Sequence, residues 1–247
     1  MKKLRSKLFL GGLGLLLFLL VAGLVYLKLA TYPAESQAKS SLTAPNVQRQ
    51  GNFIRFKGDE KQATLLFYPG ALVDPVSYAP LAQDLAKEGY TVYLLCPPLN
   101  LPILAKQAAL ELIQSEKLDP QQVYLAGHSL GGVVAADNTL ELVQQKKGPK
   151  GLILLASYPA SSSDLSQSQV AVLSLTASQD QIINWDSYQA AKKLLPANTD
   201  YQTIEGGNHS GFGLYGQQAK DGQASLPNRK QEQEILKRIL SFIQQDQ

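Results

Sequence analysis

The sequence predicts an α/β fold, a mostly parallel twisted sheet with helices on both faces, and three observations carry the prediction. Short apolar runs alternate with helix-patterned stretches from about residue 64 onward. The runs lack the apolar-polar alternation of a sheet with one wet face, so they read as strands buried on both sides. One of them ends in a glycine-bracketed serine that leads straight into a helix. Strand-helix alternation at this spacing means parallel strands joined by right-handed crossovers, and sites in such sheets sit at the carboxyl ends of the strands. A chain of 247 residues, 45% of them hydrophobic, accommodates one large domain of this kind.

The N-terminus differs in kind. Lys2, Lys3, Arg5 and Lys7 precede Leu8 to Leu27, twenty residues without a charge. At 1.5 Å per residue that run matches a bilayer core of about 30 Å. It exceeds the apolar stretch of a cleaved leader, and Leu29-Ala30-Thr31-Tyr32-Pro33 is a poor cleavage site. Residues 1–30 are therefore expected to be a basic cytoplasmic end and a single transmembrane signal anchor, with a cleaved signal as the alternative. The positive-inside rule then puts the remainder outside the cell membrane. Residues 31–45, polar and rich in Ser, Ala and Gln, are expected to be a flexible linker. Residues 46–247 form the expected α/β domain.

Charge and cysteine content narrow the partners. Of the 23 Lys and Arg, five lie before residue 31, leaving 18 against 20 acids, a body of about −2. That balance gives no reason to expect nucleic acid. The single Cys96 cannot close an internal disulfide. Nothing has the spacing of a metal cluster, a phosphate-binding loop or a nucleotide fingerprint, so neither metal nor cofactor is expected. Oligomeric state is left open.

In chain order, Val47 to Lys57 alternates around Gly51-Asn52 as an antiparallel hairpin does. Strands are predicted at 64–68, 91–95, 122–126, 151–156, 170–177 and 200–205. Helices are predicted over about 76–87, opened by Asp74-Pro75 or Ser77 and closed by Gly89; on the Ala105, Ala108, Ala109, Leu112 face; after the serine turn; over about 185–195; and over about 229–244, with Ile235, Leu236, Ile239, Leu240 and Ile243 toward the sheet.

The serine turn is Gly127-His128-Ser129-Leu130-Gly131. Reversing direction within a few residues at the sheet edge forces Ser129 into a strained backbone region and lifts its hydroxyl clear, which glycines on either side permit. A serine hydroxyl becomes a nucleophile when a base takes its proton, and histidine suits that task near neutral pH. The chain has two. His128 adjoins Ser129, where neighbouring side chains diverge, and reads as a packing residue. His209, in Glu205-Gly206-Gly207-Asn208-His209-Ser210-Gly211 after the last strand, is the candidate base.

The base needs an acid on its far nitrogen, between 129 and 209 in chain order and at a strand end. Asp137 and Glu141 belong to the helix leading away, and Asp200 and Glu205 to a strand. Asp180 follows its strand by a short loop and is preferred, with Asp186 and Asp164 as alternatives. A developing oxyanion needs two fixed N–H donors. One is the Leu130 amide, and the other is Ala71 in Tyr68-Pro69-Gly70-Ala71-Leu72, with Leu72 as alternative. Leu72, Val73, Pro97, Pro98, Leu99, Tyr158, Trp185, Phe212 and Tyr215 fall at strand-end loops, where each either lines an acyl pocket or belongs to the core. Cys96, at the end of a strand, reads as a small buried residue.

These residues resemble the α/β-hydrolases, with Gly127-His128-Ser129-Leu130-Gly131 as the nucleophile elbow. More narrowly, Tyr68-Pro69-Gly70-Ala71-Leu72-Val73-Asp74-Pro75 and Gly206-Gly207-Asn208-His209-Ser210-Gly211-Phe212-Gly213 resemble loops of small bacterial membrane-anchored members. The resemblance covers about residues 47–242 and implies an α/β-hydrolase fold with an eight-strand-type core and a Ser-Asp-His triad. Two features depart from the common pattern: Pro69-Gly70 stands where His-Gly is usual, and the 156–170 segment is too short for a helical lid. The expectation is a membrane-anchored, extracytoplasmic serine esterase that cleaves small acyl esters through an acyl-enzyme on Ser129. An acyltransferase using the same triad and a non-catalytic binding protein are the alternatives.

Overall fold

The computed structural model describes residues 2–59 and 63–245. The chain divides into two compact units, residues 1–31 and 32–247. The first is one helix, α1 (Lys2–Ala30), whose described side chains include Leu15, Phe18, Tyr26 and Leu29, all exposed. Among the described residues no helix is long and apolar enough to cross a membrane. The expected anchor run begins at Leu8, on residues whose side chains lie outside the described ones.

In the second unit the segment expected to be a flexible linker is folded. Tyr32 bridges Val73 in parallel, α2 spans Ser36–Ser40, and a 3₁₀ turn covers Ser41–Thr43. Ala34 and Ala38 are buried in the core. Polar composition hid this packing because small alanines, placed on one side of a short helix, give almost no periodic signal.

The sheet has eight strands: β1 (Val47–Gln50), β2 (Phe53–Phe56), β3 (Thr64–Tyr68), β4 (Thr91–Leu95), β5 (Val123–His128), β6 (Gly151–Leu155), β7 (Ala171–Ala177) and β8 (Asp200–Ile204). Their spatial order is β1-β2-β4-β3-β5-β6-β7-β8. The β1–β2 hairpin is antiparallel, as is its pairing to β4, and every other pair is parallel. The expectation that all six later strands are buried on both faces fails at β8. It is an edge strand whose Tyr201 and Thr203 are exposed, so it needs only one apolar face.

Successive residues on a strand point to opposite faces, and that parity builds two cores. Leu65, Phe67, Val92 and Leu94 pack with Leu81 and Leu85 of α3 (Ala79–Lys87) and Ile235, Ile239 and Ile243 of α7 (Asn228–Gln245). Leu66, Tyr68, Leu125 and Leu152 pack with Leu112 of α4 (Ala108–Ser115) and with Ala135 and Leu142 of α5 (Leu130–Gln144). The predicted first helix begins as a 3₁₀ turn at Pro75–Tyr78, with the Asp74 carboxylate accepting from the Val76 N–H at 3.0 Å. The chain leaves β3 toward β4 on one side and leaves β5 toward β6 on the other, by helices on opposite faces. The topological switch point therefore lies between β3 and β5, and the crevice outside their carboxyl ends is where such sheets place their sites.

Candidate active site

Ser129 occupies that crevice. Its backbone sits at φ 53°, ψ −124°, between the last residue of β5 and the first of α5, a conformation that costs about 1–3 kcal/mol and persists only where its surroundings impose it. The surroundings are backbone. A Cβ on Gly127 would overlap Gly131, and one on Gly131 would overlap the Tyr68 and Pro69 carbonyls, so the strand, the turn and the neighbouring loop leave room for hydrogen alone. The Ser129 N–H donates to the Leu155 carbonyl at 2.9 Å, and its own carbonyl accepts from Ser157 Oγ at 2.7 Å.

His209 lies on the same rim. Its ring centroid is 4.6 Å from that of His128, the residue preceding Ser129. Its Nδ1 is 2.8 Å from Asp180 Oδ2, and both side chains are buried. Asp180 Oδ1 accepts from the Ile182 and Ile183 N–H groups at 2.8 and 2.9 Å, and the Asp180 carbonyl accepts from Trp185 Nε1 at 3.0 Å. Because Asp180 accepts throughout, the His209 proton belongs on Nδ1 and Nε2 is left as the basic nitrogen. The alternative acids lie elsewhere: Asp164 is exposed and accepts from its own Ser166 N–H, and Asp186 is exposed in the first turn of α6 (Trp185–Ala191).

The candidate oxyanion donors separate cleanly. Leu130 is the first residue of α5, and among the described residues neither its amide nor that of Ala71 has an acceptor. The Leu72 amide, the alternative, donates to the Asn100 carbonyl at 2.7 Å and is spent. Gly70 donates to Tyr78 Oη at 3.0 Å, and a Cβ there would lie 2.9 Å from His128 Nδ1.

His128 is buried, as its packing role requires. Its Nδ1 lies 2.8 Å from Tyr78 Oη, which also accepts from the Gly70 N–H, and its Nε2 has no hydrogen-bond partner among the described residues. Burial and then the charge of the neighbouring His209 hold its pKa well below the ordinary histidine range. A neutral ring matters here, because a cation 4.6 Å away would oppose the imidazolium that a base at 209 must become.

Of the residues expected at strand-end loops, Val73, Phe212 and Tyr215 are core, and Pro97 is buried too. Leu72, Leu99, Tyr158 and Trp185 remain open to solvent on the rim, together with Pro98. Cys96 is half-buried rather than enclosed. No helix lies between Ala156 and Val170.

The supports of the His209 loop escaped the sequence reading. Gln231 of α7 is fully buried, accepts from the Asn208 N–H at 3.0 Å and donates to the Asn208 carbonyl at 2.8 Å. Asp221 Oδ2 accepts from both the N–H and the hydroxyl of Ser210, at 2.7 and 2.6 Å, and Oδ1 accepts from Gln181 N–H at 3.3 Å. Gln231 left one trace in the sequence: it falls in register with Ile235, Ile239 and Ile243, a polar residue on an apolar stripe. Asp221 left none.

The sequence pattern of the alpha/beta hydrolase family matches residues 64–233. A search of the curated proteins finds no match. Among solved structures, one of two fungal esterases from Rhizomucor miehei superposes with a TM-score of 0.61 at 15% identity, covering 86% of each chain. A hydrolase of Thermoplasma acidophilum described as CIB-like gives 0.60 at 14% identity, over 80% of this chain and 97% of its own. A thermophilic esterase of the planctomycete Thermogutta terrifontis, bound to propionate, gives 0.58 at 12%, over 81% and 94%.

Proposed function

For a chain that thus belongs to the alpha/beta hydrolase family, we propose a serine hydrolase of carboxylic esters in which Ser129 is the nucleophile, His209 the base and Asp180 its orienting acid. One observation carries the reading: a serine in the strained elbow conformation shares a rim with a buried histidine whose Nδ1 is tied at 2.8 Å to a buried carboxylate. His209 Nε2 takes the Ser129 proton as Oγ attacks the acyl carbonyl. The Leu130 and Ala71 N–H groups receive the oxyanion, and the proton passes to the departing alcohol. Water, activated the same way, then clears the acyl-enzyme. Esterases among the structural neighbours agree with this choice of substrate class.

Anchoring of this enzyme at the cell membrane, with the hydrolase unit outside, is part of the proposal and rests on the uncharged run Leu8 to Leu27 behind a basic end. Small acyl esters are the proposed partners, and no cofactor is called for, since every step is supplied by side chains and backbone amides.

The test is a fluorophosphonate, which phosphonylates an activated serine. Mass spectrometry should find the adduct on Ser129, and Ser129→Ala should lose both the adduct and turnover of 4-nitrophenyl acetate. Unchanged turnover in that variant would end the reading. Activity that appears only with an added acceptor alcohol would favour acyl transfer by the same machinery.

A further inference from the structure

Among the described residues outside α1, five large apolar side chains are exposed: Leu99, Ile103, Leu104, Trp185 and Tyr201. Three of them share one loop, which follows β4 as two 3₁₀ turns, Pro98–Asn100 and Pro102–Ala105. Leu99 is 41%, Ile103 49% and Leu104 53% exposed. The loop walls a groove of about 430 Å³ whose lining includes Cys96, Pro97, Ile103 and Leu104. Burial pushes the Cys96 thiol up to about 11, so it stays uncharged.

This loop is strained as well as apolar. Leu99 and Asn100 both hold φ 54°, and Leu72 holds φ 57°. Asparagine tolerates that region, whereas leucine is strained in it. The two strained segments are tied to each other, since the Leu72 N–H donates to the Asn100 carbonyl. Leu72 directly follows Ala71, one of the proposed oxyanion donors. Strain gathered beside a reaction centre is a pointer to function.

The stereochemistry of the proposed reaction says which part of the substrate meets this ledge. The departing alcohol takes its proton from His209, so it lies toward the loops after β7 and β8, which carry Asp180 and His209. With the oxyanion held between Ala71 and Leu130, the acyl chain leaves on the side away from His209, and the Leu72–Asn100 hydrogen bond sets the ledge beside that side. We infer that the ledge of Leu99, Ile103 and Leu104 receives an aliphatic acyl chain, which makes medium-chain acyl esters, rather than acetates, the substrate class of this site. The inference rests on the serine-hydrolase reading.

The experiment compares 4-nitrophenyl octanoate with 4-nitrophenyl acetate on the purified full chain, on Leu99→Gly, and on the Ile103→Ser/Leu104→Ser pair. Glycine adopts φ 54° without strain, so the first variant removes the side chain while favouring the native loop. The octanoate-to-acetate ratio of kcat/KM should exceed one in the parent and fall about tenfold in each variant. A ratio unchanged in both overturns the ledge. So does an unchanged ratio accompanied by weaker sedimentation with phosphatidylglycerol vesicles, which would make the loop a membrane contact instead. Failure of the underlying reading looks different: the parent chain would neither label with fluorophosphonate nor turn over either ester.

Discussion

Asp180→Asn separates catalysis from architecture more sharply than any other single change. Asp180 Oδ1 accepts two backbone N–H groups, from Ile182 and Ile183, while Oδ2 faces His209 Nδ1 at 2.8 Å. An asparagine keeps its oxygen on the two amides, because nothing else there accepts from it, and so places its NH₂ against His209. A donor facing Nδ1 forces the imidazole proton onto Nε2, the nitrogen that must take the Ser129 proton. The base is then present, in place and in the wrong tautomer. The same substitution in a serine protease costs about 10⁴ in kcat, or roughly 5.5 kcal/mol of transition-state stabilisation. Stability should change far less, by about 1–3 kcal/mol for one charge-assisted hydrogen bond, because the loop keeps its two amide contacts. The assay is steady-state hydrolysis of 4-nitrophenyl acetate beside a urea melt, with the rate of fluorophosphonate labelling as an independent measure of nucleophile activation. Turnover within tenfold of the parent, in a variant that melts normally, would refute the tautomer argument and with it the role given to Asp180.

Two further outcomes follow from the structure. Ser129→Gly and Ser129→Ala should both be inactive, but the glycine variant should be the more stable by about 1 kcal/mol, since φ 53° strains any residue with a Cβ; equal urea midpoints would mean that the elbow stores no strain. Glu232 on α7 is buried, and desolvation, only partly offset by Arg229, pushes its carboxyl up to about 7 from 4.5. A raised carboxyl pKa contributes stability that is fully present below about 4.5 and lost as pH climbs through about 7, so Glu232→Gln should be more stable than the parent at pH 8 by roughly 3 kcal/mol and equal to it at pH 4. Parallel stability-against-pH curves for the two chains would discard that assignment.

What was legible in the sequence followed from sterics and periodicity. The parallel strands β3 to β7, the hairpin and the elbow show in residue order because a two-sided strand must be apolar throughout and because only glycine fits against Gly131 or the Tyr68 carbonyl. The elbow at Ser129 and the pairing of Asp180 with His209 could be anticipated because few residues of each type occupy strand ends. The packed segment after Tyr32 and the exposed face of β8 could not be read, since one is held by small residues without a pattern and the other by its position at the edge. The Tyr78–His128 pair, Gln231 and Asp221 were hidden for a different reason. They act through contacts between residues far apart in the chain, such as 50 positions for Tyr78 and His128, and residue type alone does not announce a partner at that separation.

The two halves of the site are held by different physics. Ser129 is fixed by what cannot be fitted around it: the elbow is wedged between backbone atoms, and the Ser129 carbonyl accepts from Ser157 Oγ. His209 is fixed by what is bonded around it. Asn208 before it is gripped on both main-chain groups by Gln231, Ser210 after it is held twice by Asp221, and Asp221 also reaches the loop that carries Asp180. Buried polar networks of this kind add little net stability over an apolar core, so stability alone does not account for them. They do give position: the glycines of the loop carry no side chains of their own to pack, and Gly207 and Gly211 are small so that the Gln231 amide can come against them. A base misplaced by about 1 Å can lose on the order of 10²-fold in rate. The glycines that bring the loop over the sheet edge and the amide and carboxylate that stop it moving are therefore two parts of one device, which holds His209 beside the ring of His128 in an elbow that the fold has already immobilised.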